Sequence, residues 1–323
     1  MDKQRLLIVI VLGALLSTRG QIGAEPRYTV TDLGAWVPAA VNDSATVAGT
    51  QSSETGPSPA VWANGALVRL DQRGSAMGLN AHGTIVGEAN NWPFRWDTSG
   101  GRYWPVPSWA VRGTAMAINA AGQATGSIST GRQQFAVRWQ DESLVILAGG
   151  RWGNAINAHG DVGGQWADAA GHTYAGVWDT HGTLYDLGSL GADWTSISAI
   201  NDARQVAGTA TEADRMRAFR GQLGVGIALL PLVDGFVQSR GLGIGPDGSV
   251  VGTATPRSGL PVGALWTPDG TMYDLNRLID PASGWVLQSA LAVNAQSQIV
   301  GHGTWHGQSR AFLLRPLGAG QGP

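Results

Sequence analysis

The chain has no cysteine, which excludes a disulfide framework and any lipid attached through a cysteine. A stable fold must therefore come from a large core of its own. Charged residues are scarce as well, at 14% of the sequence with a formal net charge of −2. With no basic stripe, nucleic acid is excluded as a partner, and with no acidic run there is no solvating tail. The longest apolar run, residues 6–16, is too short to cross a bilayer, so no transmembrane span is expected in the mature chain. No Walker loop, serine elbow or zincin motif occurs, so no cofactor and no metal site is read from the sequence.

The apolar run has a different reading. Lys3 and Arg5 precede it, and Ile22, Gly23 and Ala24 follow it as a small-residue cleavage site. Residues 1–24 are expected to be an export signal, with the mature chain starting at Glu25 in the periplasm or outside the cell.

What the sequence does have is glycine, 48 residues in 323, and 14 tryptophans. That much glycine with so little charge points to a turn-rich, all-β chain. One pattern recurs seven times: a small residue, an aliphatic residue, an anchor, and a Gly seven positions beyond the anchor. The anchors are Asn42, Asn80, Asn119, Asn157, Asn201, Gly245 and Asn294, and the paired glycines are Gly49, Gly87, Gly126, Gly164, Gly208, Gly252 and Gly301. Asparagine tolerates left-handed geometry and bonds its own backbone, so the anchor is expected to make the turn after the first strand. A Trp follows in most copies (Trp62, Trp96, Trp139, Trp178, Trp266), with Arg220 and Leu314 read as its replacements in copies five and seven. These indoles are expected to pack between units.

Each unit of roughly 40 residues reads as four short antiparallel strands, the size of a propeller blade. The seventh copy lacks a fourth strand after residues 311–315. Residues 28–33 supply one, because Thr-Val-Thr-Asp-Leu-Gly at 29–34 matches Thr-Leu-Tyr-Asp-Leu-Gly at 183–188. The expected fold is a single all-β, seven-bladed β-propeller over residues 25–316, closed by its N-terminal strand and followed by a tail at 317–323.

The unit resembles the HAF-type extracellular repeat of bacterial proteins, on Asp186, Leu187, Gly188, Ile200, Asn201, Val206 and Gly208. Two departures are Arg217 and Arg310, which stand where the repeat has a His before Ala-Phe, and Asp-Leu-Gly is degraded in several copies. The resemblance implies export and no particular activity.

Function is then sought where the repeat is irregular. In a four-stranded blade the second-to-third turns and the blade-to-blade links share one face, here called the long-loop face, expected to hold the insertions. Trp36, Trp109, Trp152, Trp194 and Trp285 are read into the links, and Trp92, Trp166 and Trp305 into the second-to-third turns. Trp104 is read into an outer strand. Arg73, Arg112, Arg151 and Arg240 fall just before the innermost strand on the same face. Indole platforms with guanidinium forks suit an anionic glycan or cell-surface polymer, while salt bridges to acids such as Asp32 or Asp234 are the structural alternative. An exported protein partner predicts a flatter apolar patch. A hydrolase or lyase predicts converging acids among Glu54, Glu88, Asp168, Glu212 and Asp214, with His172, His302 and His306 in loops. No catalytic residue is assigned.

Overall fold

A computed structural model describes residues 28–54 and 56–318; the expected signal at 1–24 and the end of the tail lie outside the described residues. Seven four-stranded antiparallel sheets form the seven blades, each adding its strands outward in chain order. The chain is a seven-bladed β-propeller. The seventh sheet is the exception in order: its outermost strand is Tyr28–Gly34, paired antiparallel with Gln308–Pro316 from Tyr28 opposite Pro316 to Gly34 opposite Ala311. The N-terminal strand therefore closes the ring, covering the outer edge of Gln308–Pro316 that would otherwise be left unpaired. Among the described residues no helix is long and apolar enough to cross a membrane.

The anchor asparagine does more than make a turn. Its Oδ1 accepts amide N–H groups of its own turn, as Asn80 does from His82 at 3.0 Å and Thr84 at 2.9 Å. Its Nδ2 donates to the anchor carbonyl of the next blade: Asn42 to Asn80 (3.2 Å), Asn80 to Asn119 (3.1 Å), Asn119 to Asn157 (2.9 Å), Asn157 to Asn201 (3.3 Å) and Asn201 to Gly245 (2.9 Å). Asn294 donates to Asn42 at 2.9 Å and carries the series across the closure. The one break among the described residues is at Gly245, where Asp247 accepts from the Ser249 amide in place of the missing side chain and no side chain of blade six donates to the Asn294 carbonyl.

The repeated Gly has an equally local cause. Every inner strand carries a one-residue register shift before its anchor, for instance between Ala115 and Ala117 or Gly241 and Gly243. The shift presses an inner-strand carbonyl against the facing Gly, so a Cβ there would lie 1.9 Å from the Thr114 oxygen at Gly126 and 1.9 Å from the Arg240 oxygen at Gly252. No side chain fits such a bulge.

Between blades, the repeat Trp is buried as expected, with Trp139, Trp178 and Trp266 fully so. Each of these three donates its indole N–H to a carbonyl in the link from the preceding blade: Pro105, Ala148 and Pro231, at 2.8, 3.0 and 2.8 Å. Strand register corrects one assignment. The Trp slot of blade five, opposite Val206, holds Gly221, not Arg220. Arg220 occupies the slot of Arg138, one residue earlier, and both arginines cross to the next blade, Arg138 onto the carbonyls of Gly160, Asp179 and Thr180 and Arg220 onto those of Gly248, Thr267 and Pro268.

The Asp-Leu-Gly signature turns out better kept than its residues suggest. Its Leu slot is buried in every blade, by Leu33, Leu70, Trp104, Leu147, Leu187, Leu230 and Leu275. Trp104 is thus core, lying just past the outer strand Gly100–Tyr103 rather than within it. Where the Asp survives it caps the turn, Asp32 accepting from Gly34 and Asp186 from Gly188.

Two substitutions test this account by chemical denaturation. Asn80→Ala loses a turn acceptor and an interblade donor in a buried site and should cost about 1 to 3 kcal/mol. Gly126→Ala forces a methyl into a backbone carbonyl and should cost about 3 kcal/mol or more.

Candidate functional site

The long-loop face begins with a correction. Several second-to-third turns are tight hairpins, such as Asn90 and Asn91 between Ile85–Ala89 and Trp92–Asp97, or His306 and Gly307 between Ile299–Trp305 and Gln308–Pro316. Trp92, Trp166 and Trp305 therefore lie in strands, as do Trp152 and Trp285 in the inner strands of blades four and seven. Insertions concentrate in the blade-to-blade links, which hold Trp36, Trp109 and Trp194. His302 is also in a strand, paired opposite Ser289, not in a loop.

Most of these indoles are tied down. Trp36 is buried and donates to the Leu33 carbonyl at 2.9 Å. Trp285 and Trp305 face each other across their strands and stack at 6.4 Å between centroids, with Trp305 bonded to the Ser283 carbonyl and the Arg310 guanidinium 5.9 Å from its ring. Trp166 packs on Tyr174 at 5.1 Å and donates to Asp186. Trp92 and Trp194 are half-buried. Only Trp109 and Trp152 of the eight stand out, at 42% and 37% exposure. They belong to neighbouring blades, Trp109 in the link into blade three and Trp152 in the inner strand of blade four.

The four candidate arginines remain near the inner strands. Arg112 is the first residue of the inner strand of blade three and Arg151 the second of that of blade four; Arg240 stands in that of blade six at the same distance from its anchor as Trp152 from its own. Arg73 lines an open depression of about 360 Å³ with Ser58, Leu70, Asp71 and Gln72. None of these four guanidiniums makes a hydrogen bond or ion pair among the described residues. Asp32 pairs instead with Arg310 at 3.3 Å, and Glu212 with Arg217.

Three of the five candidate acids, Asp168, Glu88 and Glu212, are engaged within their own neighbourhood. Asp168 accepts from Tyr174 at 3.1 Å and contacts His172 Nδ1 at 3.0 Å, and the His172 bond holds its carboxyl below the usual range. Glu88 accepts from the Asn91 amide at 2.8 Å. Among the described residues no cluster of His, Asp and Glu has the form of a metal site. Burial holds the His302 imidazole below its ordinary value.

Exposed apolar side chains are distributed unevenly. Among the described residues, the long-loop face carries Val37, Trp109, Val111, Trp152, Leu190, Val233, Leu260 and Val286; the outer strands carry Val68, Tyr103, Val145, Ile146 and Tyr185; the short-turn face carries Val225 alone. This skew was not visible in the sequence, where aliphatic residues in links look like any others.

Comparison with known proteins adds the fold and no more. No family model matches the chain, and no curated protein matches it. Among solved structures, a putative TolB from Agrobacterium tumefaciens aligns over 77% of this chain and 92% of its own, with TM-score 0.51 and 11% identity. A puromycin-hydrolyzing peptidase from Mycobacterium tuberculosis aligns over 91% of this chain with TM-score 0.59 and 12% identity, and the likeness spans about half of that protein, 53%. The propeller domain of the Trilobed protease from Pyrococcus furiosus aligns over 89% and 93% of the two chains, with TM-score 0.54 and 11% identity. That domain is described as having an open velcro topology, whereas the ring here is closed by Tyr28–Gly34.

Two measurements follow from the site. Replacing Trp109 and Trp152 together by Phe should remove most of the tryptophan emission that acrylamide quenches, leaving the shielded indoles. For His302, the unfolded chain binds a proton near 6.5 while the folded chain resists it, so stability falls as pH drops below that value. His302→Gln should reduce the loss of denaturation midpoint between about pH 7.5 and 5.5.

Proposed function

We propose that this chain is an exported binding propeller that docks a protein partner on its long-loop face. The observation that carries this reading is the one-sided exposure of large apolar side chains, eight on that face against Val225 on the other. Exposed apolar area of this kind is costly in a solitary soluble protein and marks an interaction surface. Export rests on the signal-like start of the sequence and on the resemblance to HAF-type extracellular repeats, which supports the same location.

The glycan reading draws on less of the face. A stacking platform needs open, coplanar indoles, and six of the eight candidates are buried or half-buried, several through bonds to their own blade. A hydrolase or lyase needs acids converging on one point, whereas Asp168, Glu88 and Glu212 are each held by a local partner. An apolar face with unpaired arginines fits a protein surface best, because such interfaces are rich in aromatic residues and arginine.

The test presents immobilised mature chain to an envelope protein fraction and, in parallel, to an array of neutral and acidic glycans. A protein retained by the native chain and by Val225→Asp, and lost when Val233 and Val286 become Asp, is the expected result. Glycan binding that changes tryptophan emission, or retention indifferent to which face is altered, would overturn the reading.

A further inference from the structure

Charge on the long-loop face is not spread evenly. The links into blades three and four and the second-to-third turn of blade three, residues 104–112, 147–152 and 130–134, contain Arg112, Arg132 and Arg151 and no acidic residue; the corresponding turn of blade four carries Asp168, which is held by Tyr174 and His172. Elsewhere on the face arginine comes with acid: Arg73 two residues from Asp71, Arg215 beside Asp214, Arg217 paired with Glu212. The three guanidiniums of this sector make no hydrogen bond or ion pair among the described residues. Interleaved with them are exposed Trp109, Val111 and Trp152, with Val111 at 55% exposure.

The segments that carry these side chains are fixed. The Val111 amide donates to the Ser129 carbonyl at 2.8 Å, which ties the link to the second strand of its blade. Trp109 packs edge-to-face on Phe135 at 5.4 Å. Arg132 rides on a turn closed by the Thr130 amide to Gln133 at 3.0 Å and braced by the Thr130 hydroxyl. In the link to blade four, the Gly150 amide donates to Leu147 and the Ala167 amide to Gly149. Three positive forks and three apolar side chains are thus presented on backbone that needs little ordering on binding, which favours affinity.

We infer that this sector is a docking site for an acidic segment of a protein partner, an extended stretch in which carboxylates alternate with apolar side chains. The inference rests on the protein-docking reading of the face and narrows it. Arginine pairs carboxylates through two parallel N–H donors, and Arg112 and Arg151 stand at the starts of adjacent inner strands, as the first residue of one and the second of the next. Between Trp109 and Arg112 stands Val111, whose exposed isopropyl group is matched by an apolar side chain and not by the hydroxyl-rich surface of an acidic polysaccharide.

The experiment selects peptides of about twelve residues, about 40 Å when extended, from a random displayed library on the native full-length chain. Selected sequences should be enriched in Asp and Glu alternating with Leu, Phe or Val. They should bind at least about tenfold more weakly to the Arg112→Gln, Arg132→Gln, Arg151→Gln triple variant, and more weakly as salt is raised. Trp152→Ala should weaken them without changing that salt dependence. Peptides without acidic bias, acidic peptides that bind the triple variant equally well, or polygalacturonate outcompeting every selected peptide would overturn the inference. If no peptide is selected while the Val233 and Val286 variants still abolish retention of a partner protein, this site fails and the broader docking reading stands. If those variants also retain the partner, both fail together.

Discussion

The asparagine at the tip of each inner strand is the contact on which the ring depends. A propeller blade must hold its own first hairpin and also keep a fixed relation to the next blade, and one amide side chain does both. Its oxygen takes the turn's N–H groups and its nitrogen takes the neighbour's carbonyl, so the geometry of the turn and the angle between blades are set by the same group. Because the acceptor is the backbone of the next anchor, the series tolerates loss of one side chain: Gly245 still offers its carbonyl to Asn201, and only the bond from blade six to blade seven is missing. Blade seven is reached from the other direction, since Asn294 bonds Asn42 and the N-terminal strand lies along Gln308–Pro316.

The ring was legible in the sequence because its parts recur at fixed distances from one another. Asn and Gly stand seven apart in each copy that has the Asn, and the bulge explains the number: it delivers an inner-strand carbonyl to the residue opposite, and only Gly leaves room. Closure was legible because the N-terminal Asp-Leu-Gly matches the ends of other blades. Three things were not. Arg220 was placed in a Trp slot that belongs to Gly221, because distance from the anchor is blurred by turn length and strand side chains alternate, so one residue changes the slot altogether. Trp104 hid a conserved buried position, because a Trp in place of Leu does not look like a repeat. Five of the eight indoles read as loop residues proved to be at or near strand ends, because strands such as Trp285–Val293 and Gln308–Pro316 run beyond the short repeated core that marks them.

That last point decides how the face can work. An indole at a strand end lies against its cross-strand neighbour or the next blade, as Trp285 and Trp305 do on each other, and contributes stability more than recognition. What is left for recognition comes from the links and the first residues of the inner strands they lead into, where link length varies while the scaffold does not. In a fold that hosts many unrelated functions, such links are where one protein differs from another.

The choice of cation on that face is itself informative. The single lysine of the sequence is Lys3, so every other basic side chain apart from histidine is arginine. An exposed lysine would supply solubility and charge at least as well. Arginine differs in being planar, less strongly hydrated and able to stack on an indole while bonding a carboxylate through two donors. Arg310 shows both uses within blade seven, over Trp305 and against Asp32. Arg112, Arg132 and Arg151 stand near exposed indoles with the carboxylate half of that arrangement unfilled, and no residue of their own links can fill it. The pairing that the protein makes internally at one blade is the pairing it holds open at two others.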